Sequence, residues 1–301
     1  MESKLELKQV IEDFNLLVSK GEIKSLNLAA QAMGISGSRL SQFLSGSYKG
    51  NIQETTEIVG NYIQLVGERK SIVEKVDFVM TKNAKKVLDL ARLIHIEKGL
   101  GVLTGRAGLG KSMALQRYKA GHKDVIYLEV NTTFSAKILL SKICQQCGLI
   151  SKGHLNYLLD SIIDRLKDTG RLLIVDQAEY LPDKALDILR TIHDEAGIGL
   201  LLAGLPRLLN NIKGIGGILE QIYTRVDTAC ELTKLEDEDI KNLIHSYIPG
   251  SNGVYKDFIE PSRGNARVLK ILANHSKRIA LNHKVEVNGD CVRRANKLLI
   301  K

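Results

Sequence analysis

Residues 105–112 read Gly105-Arg106-Ala107-Gly108-Leu109-Gly110-Lys111-Ser112, and this octapeptide decides how the rest of the chain is read. It matches G-x-x-x-x-G-K-[ST] at every fixed position. Its context is also right, with a short apolar run, Leu100–Thr104, before it and a helix-forming run from Met113 after it. Glycine at 105, 108 and 110 lets the backbone wrap tightly with its N–H groups turned inward. The N-terminus of the following helix adds a partial positive charge. Residues 105–113 therefore read as a cradle for nucleotide phosphates, with ATP and Mg²⁺ as the expected cofactors. Lys111 would reach the β- and γ-phosphates, and the Ser112 hydroxyl would ligate the metal ion.

Outward from this loop the pattern alternates. Apolar runs at Leu100–Thr104, Val125–Val130, Leu172–Asp176, Gly199–Ala203 and roughly Thr228–Leu232 are separated by helix-period segments. Such alternation predicts an α/β core, a parallel five-stranded sheet with helices on both faces. The third run, Leu172-Leu-Ile-Val-Asp176, is a buried strand ending in a carboxylate, as in Walker B motifs, so Asp176 is expected to share the Mg²⁺ with Ser112. The expected domains are a helical segment over 1–66, a linker and lead-in helix over 67–98, the P-loop core over 99–232 and a basic helical lid over 233–301.

The N-terminal segment has its own signature. Leu5, Val10, Ile11, Phe14, Leu16 and Leu17 supply one apolar face. Leu28, Ala29 and Met33 suit a second helix, Gly34 a sharp turn, Ser36 an N-cap, and Leu40, Phe43 and Leu44 the buried face of a third helix. This is a helix-turn-helix pattern resembling small repressor-type DNA-binding domains. Ser36, Ser38, Arg39 and Gln42 would then face the major groove of duplex DNA. An oligomerisation or protein-docking domain would show the same helices.

Charge points the same way. The net charge is +9, and from residue 241 onward twelve Lys and Arg stand against four Asp and Glu, so nearly all the excess lies in the last fifth of the chain. A basic tail suits a polyanionic partner. No run of apolar residues approaches the length of a membrane span, and the N-terminus lacks the apolar core of a secretion signal, so a cytoplasmic, membrane-free protein is expected. Cys144 and Cys147 form a lone C-x-x-C on an amphipathic helix pattern, with no matching second pair, and read as inert core thiols. His193-Asp-Glu reads as a solvated helix face, and the seven histidines form no protease, nuclease or metal constellation.

Together these pieces resemble the Mu transposition protein B family, AAA+ ATPases that select target DNA for DDE transposases. The resemblance covers nearly the whole chain. It rests on the helix-turn-helix, the P-loop, Leu172–Leu181, the run Gly197-Ile-Gly-Leu-Leu-Leu-Ala-Gly-Leu-Pro-Arg-Leu208, Gln221-Ile-Tyr-Thr-Arg-Val226 and Arg263-Gly-Asn-Ala-Arg-Val-Leu269. It implies that Arg225 is an arginine finger acting on a neighbouring subunit's nucleotide, and that Arg267 is the sensor 2 arginine of the lid. It further implies ATP-dependent homo-oligomers, rings or helical filaments, on double-stranded DNA with little sequence preference, and a DDE transposase as partner.

Two positions depart from the usual AAA+ pattern. Glutamate normally follows the Walker B aspartate and polarises the attacking water, but here the residue is Gln177 and the nearest carboxylate is Glu179. The sensor 1 position, usually polar, falls in Gly204-Leu205-Pro206. Both bear on the rate of hydrolysis rather than on binding. Either Glu179 swings in and takes the glutamate's role, or the site hydrolyses slowly and holds ATP for long periods. Structurally, Glu179 would otherwise merely cap the helix starting near Pro182. The expectation is slow DNA-stimulated hydrolysis with Glu179 contributing. Two other functions share the core: a helicase loader or replication initiator, which would need a helicase-docking segment or a winged helix, and an ATP-dependent transcription regulator, which would need a discrete operator.

Overall fold

The computed structural model describes residues 2–72, 77–213, 220–251 and 253–299, with side chains over 6–67, 77–212, 221–251 and 253–299. The Leu5 side chain, residues 73–76 of the expected 67–98 linker and lead-in, and the end of the expected 233–301 segment at Ile300 and Lys301 lie outside the described residues. The chain divides into two compact units, 1–75 and 76–301.

The first unit consists of α1 (Glu2–Ser19), α2 (Leu26–Ala32), α3 (Gly37–Leu44) and α4 (Ile52–Ile72). Ser25 and Ser36 cap α2 and α3, each accepting a hydrogen bond from the backbone N–H three residues on. Between them Gly34 takes the left-handed φ of 69° that the reversal requires. Phe14, Ile23, Ala29, Ala30, Leu40, Phe43 and Val59 form the core. Two apolar residues expected inside are outside, Leu28 at 65% exposed and Leu16 at 49%. Helix α2 begins at Leu26, and the two alanines, small enough for α3 to approach, turn inward instead. Helix α4 continues past the expected end near residue 66, since Gly67 is followed by helix-tolerant Glu, Arg and Lys rather than a breaker.

The second unit runs α5 (Lys82–Glu97), β1 (Leu100–Thr104), α6 (Lys111–Gly121), β2 (Val125–Glu129), α7 (Ala136–Cys147), α8 (Leu155–Leu166), β3 (Leu172–Asp176), a 3₁₀ turn (Ala178–Tyr180), α9 (Asp183–Ala196), β4 (Gly199–Gly204), α10 (Arg207–Lys213), α11 (Glu220–Tyr223), β5 (Val226–Glu231), α12 (Asp237–Tyr247), α13 (Lys256–Ser262), α14 (Ala266–His283) and α15 (Gly289–Lys297). The five strands pair in parallel, in the order β2-β3-β4-β1-β5. All therefore end at one edge, where P-loop chemistry is found in open α/β sheets. Strand β5 begins two residues before the expected Thr228. The Asp227 carboxylate accepts from Leu100 N–H at 2.7 Å, and the register skips Asp227, pairing Leu100 with Val226 and Gly101 with Thr228.

Alternate side chains of the strands build two cores. Leu100, Val102, Leu173, Val175, Leu200 and Leu202 pack under α7, α8 and α9. Leu103, Leu172, Ile174, Leu201 and Ala203 pack under α5 and α6. Cys144 and Cys147 sit in the first core as free thiols, where burial raises both pKa values and keeps them protonated. A third cluster, including Ile240, Ile244, Phe258, Leu269, Leu272 and Val292, holds α12–α15 together as a helical subdomain. Helix α5, read from sequence as a lead-in, covers the sheet directly through Val87, Leu90, Ala91 and Ile94. Its start is tied to the chain leaving the sheet: Asn83 donates to Thr233 O and Lys82 N–H to the Asp239 carboxylate. No helix among the described residues is long and apolar enough to cross a membrane.

Helix α5 lies so close to the sheet that β4 must begin with glycine. A Cβ on Gly199 would fall 2.6 Å from the backbone oxygen of Ile94. Overpacking against a rigid backbone costs about 1–3 kcal/mol. Gly199→Ala should therefore lower the thermal midpoint of the 76–301 unit more than Gly101→Ala, whose Cβ meets only the Ile94 and Leu201 side chains. Equal midpoints in a melting experiment would contradict this packing.

Candidate functional site

The site is assembled at the carboxyl edge of β1, β3 and β4. The loop after β1 turns three times on glycine, with φ of 159° at Gly105, 82° at Gly108 and 91° at Gly110. Gly110 is the N-cap of α6, and its backbone amide end has no side-chain cap. Arg106 and Ala107 complete the loop, while Leu109 is buried in the core beneath it. Ser112 and Met113 lie on the first turn of α6, with Met113 exposed.

Lys111 is the buried cation of the loop. Its ammonium donates to the carbonyls of Gly105 at 2.5 Å and Arg106 at 3.1 Å. Burial pulls its pKa below the ordinary 10.5, and Arg267 adds to this, while Asp176 and Glu179 act in the opposite sense. These four side chains therefore share one electrostatic neighbourhood, although they come from α6, β3, the 3₁₀ turn and α14. An ammonium this poorly solvated suits a polyanion better than a neutral ligand.

Asp176, 1% exposed, ends β3. The Tyr127 hydroxyl donates to its Oδ2 at 2.9 Å, and Gln177 N–H donates to Oδ1 at 2.9 Å. Burial first, and then the carboxylate itself, raise the Tyr127 pKa far above the ordinary 10, so this phenol is a permanent donor. Gln177 takes a left-handed φ of 61°, which is strained for a residue with a side chain. Its amide is turned away, donating to Glu129 Oε1 at the end of the neighbouring strand β2.

Glu179 has the opposite disposition. It is 8% exposed, and its Oε2 has no hydrogen-bond partner. Helix α9 starts at Pro182 with no side-chain cap bond, so Glu179 does not cap it. Its carboxylate lies against Gly204 instead, where a Cβ would fall 2.3 Å from Oε2. The two departures from the AAA+ pattern are thus one arrangement: glycine at 204 leaves the space that the Glu179 carboxylate fills. A buried carboxylate oxygen without a donor is costly unless a ligand or water satisfies it. The donor set, a hydroxyl at Ser112 and a carboxylate at Asp176 beside a cationic loop, fits Mg²⁺ bound with phosphate.

The start of α14 meets the loop from one side. The Asn265 side chain caps α14, its Oδ1 accepting from Arg267 and Val268 N–H, while its Nδ2 donates to Ala107 O at 2.8 Å. Ala266 N–H donates to Gly108 O at 2.9 Å. Sequence reasoning gave Asn265 no role. The signal for it, Asn directly after glycine at a helix start, marks a cap but does not reveal what the other end of the amide touches. Arg225 makes no contact with this cluster; its guanidinium is held by Asp194 on α9. In the first unit Ser36, Ser38 and Gln42 are exposed, whereas Arg39 is paired with Glu54 and donates to Thr55 Oγ1 at 2.9 Å.

Comparison with known proteins agrees with this construction. Residues 94–212 match the family model described as an AAA domain. The Mu-like prophage FluMu DNA transposition protein B of Haemophilus influenzae is 30% identical over 230 residues, covering 73% of this chain and 79% of that protein. The ATP-dependent target DNA activator B of Escherichia phage Mu is 24% identical over 304 residues, covering 97% and 95%. Among solved structures, the ADP form of the Aeropyrum pernix ORC2 protein superposes with a TM-score of 0.60 at 18% identity, covering 76% of this chain and 72% of that one, a likeness of fold.

The double use of Asn265 makes a specific expectation. Asn265→Ala loses both the cap and the tie to the loop, and cap removal alone costs about 0.5–2 kcal/mol. Asn265→Asp keeps the cap but sets a carboxylate oxygen against the Ala107 carbonyl, which breaks the tie. Hydrogen exchange of the first turn of α14 should accelerate in the alanine variant and stay near native in the aspartate variant. Matching rates in the two would show that the cap contributes nothing.

Proposed function

Because the chain belongs to the Mu DNA transposition protein B family of AAA ATPases, we propose that it binds ATP with Mg²⁺, hydrolyses it slowly, and in its ATP state coats duplex DNA and activates it as a target for a DDE transposase. The observation that carries this reading is the loop turned on Gly105, Gly108 and Gly110 around the buried Lys111 ammonium, at the same sheet edge as the buried Asp176 carboxylate.

In this reading the loop amides of residues 105–113 hold the phosphates, and the Lys111 ammonium leaves its own carbonyls for the β- and γ-oxygens. Mg²⁺ held by Ser112 and Asp176 supplies neutralisation of the charge that develops on the transferred group. Tyr127 keeps the Asp176 carboxylate turned to the site. Glu179 orients the attacking water and accepts its hydrogen bond, which Gln177, occupied by Glu129 and uncharged, does not. Arg267 reaches the phosphates from the lid. Arg225 completes the site of the next subunit, so subunits stack head to tail, a contact that propagates into rings or helical filaments.

DNA is attracted chiefly by the lid subdomain, where Lys241, Lys256, Arg263, Lys270, Arg278 and Lys284 are exposed. The N-terminal unit is close to charge-neutral and adds little phosphate attraction. Its Ser36, Ser38 and Gln42 face the groove together with Arg39, whose guanidinium exchanges Glu54 for a phosphate.

Two experiments test this. Glu179→Gln should reduce DNA-stimulated turnover about a hundredfold, the low end of the roughly 10²–10⁴ typical for a positioned proton acceptor, with ATP-dependent DNA retention intact. Gln177→Glu should raise turnover and shorten the lifetime of the DNA complex. Wild-type turnover in Glu179→Gln would remove that residue from the chemistry. Separately, deleting residues 1–75 should weaken but not abolish DNA binding, and binding should fall steeply with salt and discriminate poorly between sequences. A complex that survives high salt only on one particular sequence would favour an operator-reading regulator instead.

A further inference from the structure

The candidate finger is held in place. Arg225 stands between α11 and β5, and its Nε lies 2.9 Å from Asp194 Oδ1 and 2.8 Å from Oδ2. Its Nη1 donates to Gln221 O at 3.2 Å. Asp194 Oδ2 also accepts from Arg190 Nη1 at 2.7 Å, and Arg190 Nε donates to Asp187 Oδ1 at 2.9 Å. Asp187, Arg190, Asp194 and Arg225 thus form a line of alternating charge ending at the finger. The inner members are sheltered, Arg190 at 17% and Asp194 at 25% exposed, while Arg225 is 43% exposed. An isolated surface ion pair contributes little, but a partly buried network with shared oxygens holds geometry better.

From this geometry we infer that Asp194 is the positioning residue for Arg225, setting the direction in which the guanidinium leaves the subunit. The inference rests on the reading of Arg225 as the group that completes a neighbour's site. Asp194 takes the Nε edge and Gln221 takes Nη1. The Nη2 atom is left without a hydrogen bond among the described residues and is available to an outside anion. The support is rigid. Helix α9 packs Leu186, Leu189, Ile192 and Ala196 onto the sheet that carries Asp176. One sheet therefore fixes both the subunit's own metal-binding carboxylate and, through Asp194, the finger it offers to its neighbour. The partner group is a terminal phosphate oxygen of nucleotide bound on a second copy of this chain. A free arginine must order several bonds on contact, whereas one clamped at Nε has most of that ordering done beforehand.

The test uses the full chain with ATP and duplex DNA. Asp194→Asn keeps the shape and removes the charge. Its kcat should fall by about tenfold to a hundredfold, the scale of a misplaced group, while KM for ATP and ATP-dependent DNA retention stay near wild type. Asp194→Glu should recover part of the loss. The double variant Asp194→Asn/Arg225→Ala should be no slower than Arg225→Ala alone. Mixing Asp194→Asn with Lys111→Ala should restore activity, because the first keeps its P-loop and the second supplies an intact finger. This recovery would not follow from a folding defect confined to Asp194→Asn. Wild-type kcat in Asp194→Asn, with Arg225→Ala inactive, would overturn the inference. So would a raised kcat, which would make Asp194 a restraint that withholds the finger. Wild-type kcat in Arg225→Ala would instead remove the finger reading itself.

Discussion

Parallel pairing is the constraint on which the rest of this structure depends. With β3, β4 and β1 side by side and running the same way, their carboxyl ends open onto one edge. Three segments far apart in sequence, the loop after Thr104, Asp176 with the turn behind it, and Gly204, are brought together without any of them having to reach. The cost of the arrangement is that every connection must cross a face of the sheet, which explains why two separate apolar cores are needed. Leucine, isoleucine and valine alternate inward and outward along the strands to fill both. Each fully buried aliphatic side chain contributes about 1.5–3 kcal/mol, so the edge is held stiffly enough to support a buried charge such as Lys111.

Within that frame the unusual positions compensate for one another. Gln177 adopts a left-handed backbone and gives its side chain to Glu129. Glu179 is carried by the 3₁₀ turn back toward the sheet and fills the room that Gly204 leaves. Neither residue alone would be informative. Together they leave a buried carboxylate two positions beyond Gln177, lying against Gly204. The Tyr127 hydroxyl, kept protonated by burial, gives Asp176 a donor of its own.

Much of this was legible in the residues. The P-loop, the five strands and the terminal carboxylate of β3 follow from glycine spacing and from apolar runs of strand length, signals carried by consecutive residues. What escaped depended on a third dimension. Leu28 looked like a core residue because it is apolar on a helical pattern, but the face was set by Ala29 and Ala30, whose small size admits α3. The early start of β5 followed from a hydrogen bond between Asp227 and Leu100, residues that sequence does not associate. Asn265 was given no role: its place after Gly264 signals a cap at most, and the carbonyl its amide reaches lies 158 residues away. Whether Glu179 capped α9 or entered the site turned on the absence of a side chain at Gly204, twenty-five positions away.

The planar amide of Asn265 has a mechanical consequence. A carboxamide is planar and short: its oxygen is fixed to the start of α14 and its nitrogen to the oxygen of Ala107, so with the bond from Ala266 N–H to Gly108 O it holds helix and loop close together. Hydrogen bonds fail steeply once stretched beyond their normal range, and an amide has no bond about which it can lengthen. Separating the start of α14 from the phosphate loop therefore means breaking this bond and the neighbouring one from Ala266 N–H to Gly108 O together.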